Sequence, residues 1–315
     1  MDVRDLRVFL CIVEEGSVSA AARHLHVAQS GVSETVARLE RELQARLLER
    51  SHNGSTPTSQ GAVLLHWARR LVNSAERARE EVRSTTDGSV ERLRVGFPTI
   101  ASPLVLPGFL AGLRDRRAPV VVKAAEGLVP PLLEQVRDGS LDLTVMFFPS
   151  EEVRGVRFVE VAEWRESVLI PSDHELAGRS TVTMAELAPH AWVTFPPHNA
   201  GRLWLDTACA AAGFVPRIAA EVASPLQERI FIDAGLGIGL VPTGVPVDPA
   251  APNVVEVHLE GVLPRFRVGY GYAPELAGPG TDVAREVLES VLNRLQADVV
   301  ERGSDAARAG QQART

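Results

Sequence analysis

At 315 residues, 45% hydrophobic and 23% charged, the chain is long enough for two or three domains with substantial apolar cores. A formal charge of -7 and a single lysine, Lys123, argue against a uniformly basic nucleic-acid binder. No apolar run reaches the roughly 18 residues of a membrane span and no basic leader opens the chain, so the expected location is the cytoplasm, with no membrane partner.

Cys11 and Cys209 lie in apolar, Ala-rich stretches with no Cys or His at ligand spacing, so neither a disulfide framework nor a metal site is expected. From the N-terminus, Leu6, Phe9, Leu10 and Val13 fall at i, i+3, i+4 and i+7, which predicts a helix over residues 3–14 ended by Gly16. Ser17 or Ser19 is placed to cap a second helix with Val18, Ala21, Ala22 and Leu25 on one face. A third follows, with Val32, Val36, Leu39 and Leu43 on one side and Gln29, Ser30, Ser33 and Glu34 opening the other. Three short helices joined by tight turns therefore lie within about forty-five residues. Taken alone, the polar side of the third is more simply a solvated surface; its setting changes that.

The head is not basic: residues 1–60 hold seven arginines and eight carboxylates, a net -1. Any DNA contact must come from where the charges are placed. In SHNGSTPT, Asn53-Gly54 suits a type I′ hairpin turn and Pro57 ends the pairing, which predicts a small β-wing. Thr58 is placed to cap the next helix, expected over residues 60–86. There Leu64, Ala68, Leu71, Ala75, Ala78 and Val82 repeat at spacings of 4, 3, 4, 3 and 4, a heptad seam that implies a helix partner. Packing on its own domain is the alternative. Such a helix is about 40 Å long, and residues 85–89 follow it as a hinge.

From Leu93 strands and helices alternate: LRVGF, a helix near 104–114, PVVVKAAEG, a helix near 128–138 and LDLTVMF predict βαβαβ and a parallel sheet. A second run begins near 156 with VRFVEVAEWRESVLIP and continues through AWVTF, a helix at 201–212, PRIAAEV, a helix at 225–234 and GIGLVP. RFRVGYGYA and a helix over 281–297 close the fold, and the small, polar residues 298–315 are expected to be a disordered tail.

DLRVFLCIVEEGSVSAAARHLHVAQSGVSETVARLERELQARLLER, followed by TSQGAVLLHWARRLV, resembles the head and linker helix of the LysR-type transcriptional regulators. LRVGF, DGSLDLTVMF, IPSDHELA, AAGFVPRI and DAGLGIGLVP fall in the order of that family's sensor domain, so the resemblance extends to about residue 297. It implies an α/β protein: an N-terminal winged helix-turn-helix (1–59), a dimerising linker helix and hinge (60–88), and a two-lobed effector-binding domain (89–297) like type 2 periplasmic binding proteins. Lobe I would be 92–160 with 264–297, and lobe II 161–263. It further implies a homodimer or tetramer, double-stranded DNA, a small-molecule effector and RNA polymerase as partners, and no cofactor. Three positions depart from the family pattern. Ala28 stands where a capping Ser is usual, and Glu34 and Asn53 stand where Arg is common.

A recognition helix presents its first turn to base edges; Gln29 suits a bidentate contact with adenine, and Ser30 and Ser33 are short enough for close approach. Glu34 can accept from cytosine N4 or repel wrong sites. Arg38, Arg50 and the Thr58 hydroxyl are placed for phosphates, contacts that position rather than specify. In the sensor the ligand crevice lies at strand C-termini. Thr99, Ser102, Phe147, Phe195, His198 and Arg202 stand there, and the resemblance adds Ile100 and Pro196. Simple helix capping is the alternative for Thr99, and a loop or solvated-helix role for His198 and Arg202. Leu128, where the family often has a small hydroxyl, favours an effector with an apolar or aromatic part.

The rival classes are an enzyme or a solute-binding protein on the same two-lobed scaffold. Ser172, Asp173 and His174 are adjacent in a turn and do not converge on one atom. Cys209 lies on an apolar helix face, and neither a phosphate-cradling nor a dinucleotide loop is present. No enzymatic activity is expected.

Overall fold

The computed structural model describes residues 1–51, 54–87, 91–148, 153–197, 199–243, 250–261 and 266–312. Helices α1 (Val3–Glu15), α2 (Val18–His24) and α3 (Gln29–Leu43) make the head. The Asp2 side chain caps α1 by accepting from the Asp5 amide at 2.8 Å, and Gly16 ends it with a left-handed φ of 73°. Ser17, rather than Ser19, caps α2, its hydroxyl accepting from the Ala20 amide at 3.1 Å. Leu6, Phe9, Ala21, Val32, Val36 and Leu39 meet in one core. Leu43, expected on the same stripe, is 39% exposed at the last turn of α3.

Strands β1 (Leu48–Ser51) and β2 (Gly54–Pro57) form the antiparallel wing, with Ser51 opposite Gly54. This register puts Gly54, expected in the turn, on β2, and residues 52 and 53 lie outside the described residues. A Cβ at Gly54 would stand 2.4 Å from the Gly16 carbonyl oxygen, which also accepts from the Ser55 amide at 2.7 Å. Glycine at 54 therefore lets the wing close onto the α1–α2 turn.

Helix α4 (Ser59–Asp87) is capped by Thr58, whose hydroxyl accepts from the Gly61 amide at 3.0 Å. Its apolar faces differ from the heptad expectation. Leu64 and Ala68, with Val72, are buried in the head's own core. Leu71 is 42% exposed, Ala75 half-buried and Ala78 exposed, while Val63 and Trp67 are 63% and 50% exposed. The outward stripe is Val63, Trp67, Leu71 and Ala78, rotated about the helix because the head's own helices consume the Leu64 face.

The sensor continues with β3 (Glu91–Pro98), α5 (Ser102–Asp115), β4 (Val120–Gly127), α6 (Val129–Arg137), β5 (Leu143–Phe148) and β6 (Arg157–Trp164). After Arg165 come β7 (Glu166–Pro171), β8 (Thr181–Thr183), α7 (Met184–Leu187), β9 (Ala191–Thr194), α8 (Ala200–Ala211), β10 (Arg217–Glu221), α9 (Pro225–Asp233), β11 (Gly239–Pro242) and β12 (Val254–Glu260). The chain then returns through β13 (Phe266–Tyr272) to α10 (Pro279–Gln312).

The first lobe's sheet has the order β4-β3-β5-β13-β6. β3 is parallel to β4 and β5, but β13 is antiparallel to both neighbours, so the sheet is mixed rather than parallel. The reason is the return from the second lobe, which brings β13 in from the opposite end. The second lobe holds a β11-β7-β12-β8 sheet and a β10-β9 pair, bridged by Trp192 and Ile238. Strands β8 and β12 and helix α7 are additions to the sequence reading, and β6 stays in the first sheet to Trp164, past the expected boundary at residue 160. Where a disordered tail is expected from residue 298, α10 runs on to Gln312, and residues 313–315 lie outside the described residues. Extending a formed helix needs no new nucleus, and Ala306, Ala307, Arg308, Ala309 and Gln311 favour it.

Candidate nucleic-acid interface and interlobe crevice

The first turn of α3 is presented outward by the burial of its other side. Gln29, Ser30 and Glu34 are exposed and Ser33 half-buried, while Val32 and Val36 behind them are 1% exposed. Ala28 occupies the N-cap with no side-chain hydrogen bond, and no hydroxyl from Ser30 replaces it. The Gly31 and Val32 amides donate to the Ala28 carbonyl at 3.1 and 3.3 Å, so it is the Gln29 and Ser30 amides that keep donor capacity at the start of α3, where a phosphate oxygen can take it up.

Two residues expected on phosphates have partners within the head, and the Arg38 side chain is still 50% exposed. Arg38 donates from Nε at 3.3 Å and from Nη2 to the carboxylate of Asp5, a buried group on α1. The Asp5 hydrogen bond raises the pKa of the Arg38 guanidinium above its ordinary value. The Thr58 hydroxyl gives its proton to the Arg46 carbonyl at 2.7 Å while capping α4, so it has none left to donate to DNA. Arg50 lies on β1 beside the wing turn. Glu40 closes the segment after α3, accepting from the Leu47 and Leu48 amides at 2.8 and 3.4 Å.

In the sensor, Thr99 and Leu128 adjoin at the C-terminal ends of β3 and β4, where the Thr99 amide donates to the Gly127 carbonyl at 3.2 Å. Thr99 does not cap α5; the N-cap is Ala101, with no side-chain bond. Ile100 reaches across the crevice. It packs against the cores of both lobes, and a Cβ at Gly201 would lie 3.3 Å from its Cδ1 and 2.9 Å from Phe195 Cδ2. Pro196, the next residue after Phe195, is exposed. Ser102, Phe147 and Phe195, expected to line the crevice, are buried: Phe147 stacks edge-on with Trp164 at 6.0 Å, and Phe195 lies in the second lobe's core. Arg202 is held by Asp206 at 3.1 Å and Glu221 at 3.0 Å, so its charge is matched within its own lobe. His198 lies outside the described residues.

The residues weighed for catalysis have other partners. His174 Nε2 pairs with His190 Nδ1 at 3.2 Å, and its Nδ1 accepts from the Leu176 amide. Burial pushes the Cys209 thiol up to about 12, which keeps it protonated and a poor nucleophile. Among the described residues no cluster of three or more potential metal ligands occurs, and no helix is long and apolar enough to cross a membrane.

Sequence reasoning missed a set of contacts between α4 and the first lobe. Arg77 donates to the Gly139 carbonyl at 3.0 Å, to Leu276 at 2.9 Å and to Leu141 at 3.3 Å, and its Nη2 lies 2.5 Å from Asp142 Oδ1. No local signal marks this set, since the partners lie more than sixty residues away.

Residues 3–62 match the family described as "Bacterial regulatory helix-turn-helix protein, lysR family", and residues 86–295 match "LysR substrate binding domain". The transcriptional regulator ShiR of Corynebacterium glutamicum is 32% identical over 298 residues, covering 93% of this chain and 99% of its own. A probable hydrogen peroxide-inducible genes activator of Mycobacterium avium is 29% identical, covering 85% and 86%. Among solved structures, the LysR-family regulator CbnR has a TM-score of 0.71 at 22% identity over 93% of this chain and 99% of its own. A full-length OxyR variant from Pseudomonas aeruginosa gives 0.68 at 22%, over 93% and 97%. The chain therefore belongs to the LysR family of helix-turn-helix transcriptional regulators, with a DNA-binding head and an effector-binding domain.

Proposed function

We propose that this regulator reads operator DNA as a homodimer, or as a tetramer of two such dimers, through the first turn of α3. Gln29 and Ser33 contact base edges, with Ser30 at the same edge and Glu34 selecting against sites that bring a phosphate close to it. The observation that carries this reading is the outward placement of Gln29 and Ser30 on a helix whose opposite side, Val32, Val36 and Leu39, is sealed in the core. Arg50 and the Gln29 and Ser30 amides supply backbone contacts. CbnR, similar in fold, has been solved with its target DNA. The subunits pair along Val63, Trp67, Leu71 and Ala78 of α4.

The effector is a small molecule held between the lobes near Thr99, Ile100, Leu128 and Pro196, without a cofactor, and it acts by favouring one of two lobe arrangements. Regulation takes place in the cytoplasm and works on RNA polymerase at the promoter; no enzymatic step is assigned. The test is selection of binding sequences from random duplex DNA by the wild-type protein. A recurrent two-fold pair of half-sites supports the reading, and recovery of no sequence preference overturns it.

A further inference from the structure

The sensor and the reading head are two domains, and the chain must set the angle between them. One face of α4 does so with Arg70, Asn73, Arg77 and Glu80, spaced at i, i+3, i+7 and i+10, which all turn toward the first lobe. Arg70 pairs with Glu275. The Asn73 amide donates to the Asp138 carbonyl at 2.9 Å and to Ser140 Oγ at 3.0 Å. Glu80 receives Arg94 at 2.5 Å and Arg92 at 3.3 Å. Arg77 is the centre: its side chain is 13% exposed, Asp142 beside it 5%, and its fork reaches the carbonyls of residues 139, 141 and 276. Asp142 Oδ2 also accepts from the Arg94 amide at 2.5 Å, which ties the junction to β3, the strand that leads to Thr99.

The other half of α4 belongs to the head, through Leu64, Ala68 and Val72 and through the Arg7–Glu76 ion pair at 2.8 Å. Between the head and Ser140 the surfaces do not close; a cavity of about 330 Å³ lies there, bordered by Arg7, Glu14, His24, Arg69 and Glu76. Among the described residues, side-chain hydrogen bonds and ion pairs link the head to the sensor through α4.

We propose that Arg77 and Asn73 are positioning residues for DNA recognition, fixing α4 against the 138–142 turn so that, in a tetramer of two α4-paired dimers joined through their sensors, the separation of the two head pairs matches one operator spacing. The lever is long. From Arg77 to Ser59 the helix spans about 27 Å, so a tilt of about 10° moves the head about 5 Å, more than one base-pair step of about 3.4 Å. A lysine at 77 keeps the charge but cannot fork onto several carbonyls at once.

This inference rests on the DNA-reading function proposed above, and the experiment separates the two. Full-length wild type, Arg77→Ala, Arg77→Lys and Asn73→Ala are titrated by fluorescence anisotropy against duplexes that carry two dimer sites selected by the wild type, with the separation of those two sites then changed by one or two base pairs. Wild type is expected to lose about tenfold or more in affinity off its preferred spacing, as for a mismatched site. Arg77→Ala and Arg77→Lys should flatten that profile to within about threefold while leaving the affinity for a single dimer site unchanged, and Asn73→Ala should flatten it partly. If Arg77→Ala does not fold, as judged by its melting curve, the lysine and Asn73 variants decide. Profiles as sharp as wild type in variants that fold would overturn the inference, whereas failure of the wild type to select any sequence would overturn the DNA reading itself.

Discussion

Asp5 on α1 and Arg38 on α3 form a two-point ion pair, with Nε and Nη2 of the guanidinium on the two oxygens of a carboxylate that is 5% exposed. The pair ties to α1 a cation that the sequence places on the DNA side, and its side chain stays 50% exposed. Asp5→Asn should release Arg38 to meet a phosphate and steepen the dependence of log affinity on log salt by about 0.9 per head. Arg38→Ala should leave the salt dependence near wild type and lower the melting temperature, because Asp5 loses its partner. Salt titrations and thermal melts of the two variants check this, and a reduced slope for Arg38→Ala would show that the arginine reaches DNA after all.

The two apolar faces of α4 separate by mutation. Leu64→Ala, at a position 8% exposed in the head core, should cost about 2–5 kcal/mol of head stability. Trp67→Glu, at a position 50% exposed, should leave folding intact and shift the protein toward monomer in analytical ultracentrifugation. Dimerisation that survives Trp67→Glu would move the subunit interface off this stripe.

Two buried carboxyls give the stability a pH dependence. Burial pushes Glu166 and Glu228 from 4.5 to about 8 each. Between those values the folded chain holds a proton on each group that the unfolded chain has released, so the folded state binds more protons. Stability must therefore fall as pH rises through this window and level off above it. Glu228→Gln and Glu166→Gln should each flatten the fall, by up to about 1.4 kcal/mol per pH unit. Chemical denaturation at several pH values reads this directly, and an unchanged slope in both variants would show that these groups ionise normally.

Closure of the lobes depends on a missing side chain. A methyl at Gly201 would press on Phe195 at 2.9 Å and Ile100 at 3.3 Å, so Gly201→Ala should cost about 1–3 kcal/mol and spread the lobes. Solution scattering would record the larger radius, while an unaltered profile and melting temperature would show that Phe195 and Ile100 yield freely.

Much of the head was legible because helix periodicity is a short-range code. The stripes of α1 to α3, the Gly16 stop and the Ser17 and Thr58 caps depend on residues within one or two turns. Partner choice is not short-range. Leu64 and Ala68 kept a heptad, but periodicity says only that a face is apolar, and α1 of the same head covers it. The partners of Arg38 and Arg77, and Glu221 of the two that hold Arg202, lie in other segments. Arg38 and Arg202 therefore read as contacts to DNA and effector until the fold brings carboxylates to them, and only Asp206, one turn from Arg202, is within local reach. In the crevice, Phe147 and Phe195 were placed at the correct strand ends, but which side each ring faces depends on packing between elements, and both rings turn into cores. The alternating VVEVHLE of β12 carried a strand signal the sequence reading passed over, whereas three-residue β8 carried too little to find.

The central claim, that the outer edge of α3 reads base sequence, is tested most directly by the affinity of Gln29→Ala for its selected operator and for unrelated duplex of equal length at one salt concentration. A lost bidentate base contact predicts an operator affinity lower by roughly 5- to 150-fold, with nonspecific affinity within about twofold of wild type. Equal losses on both duplexes, or no loss on either, would contradict it.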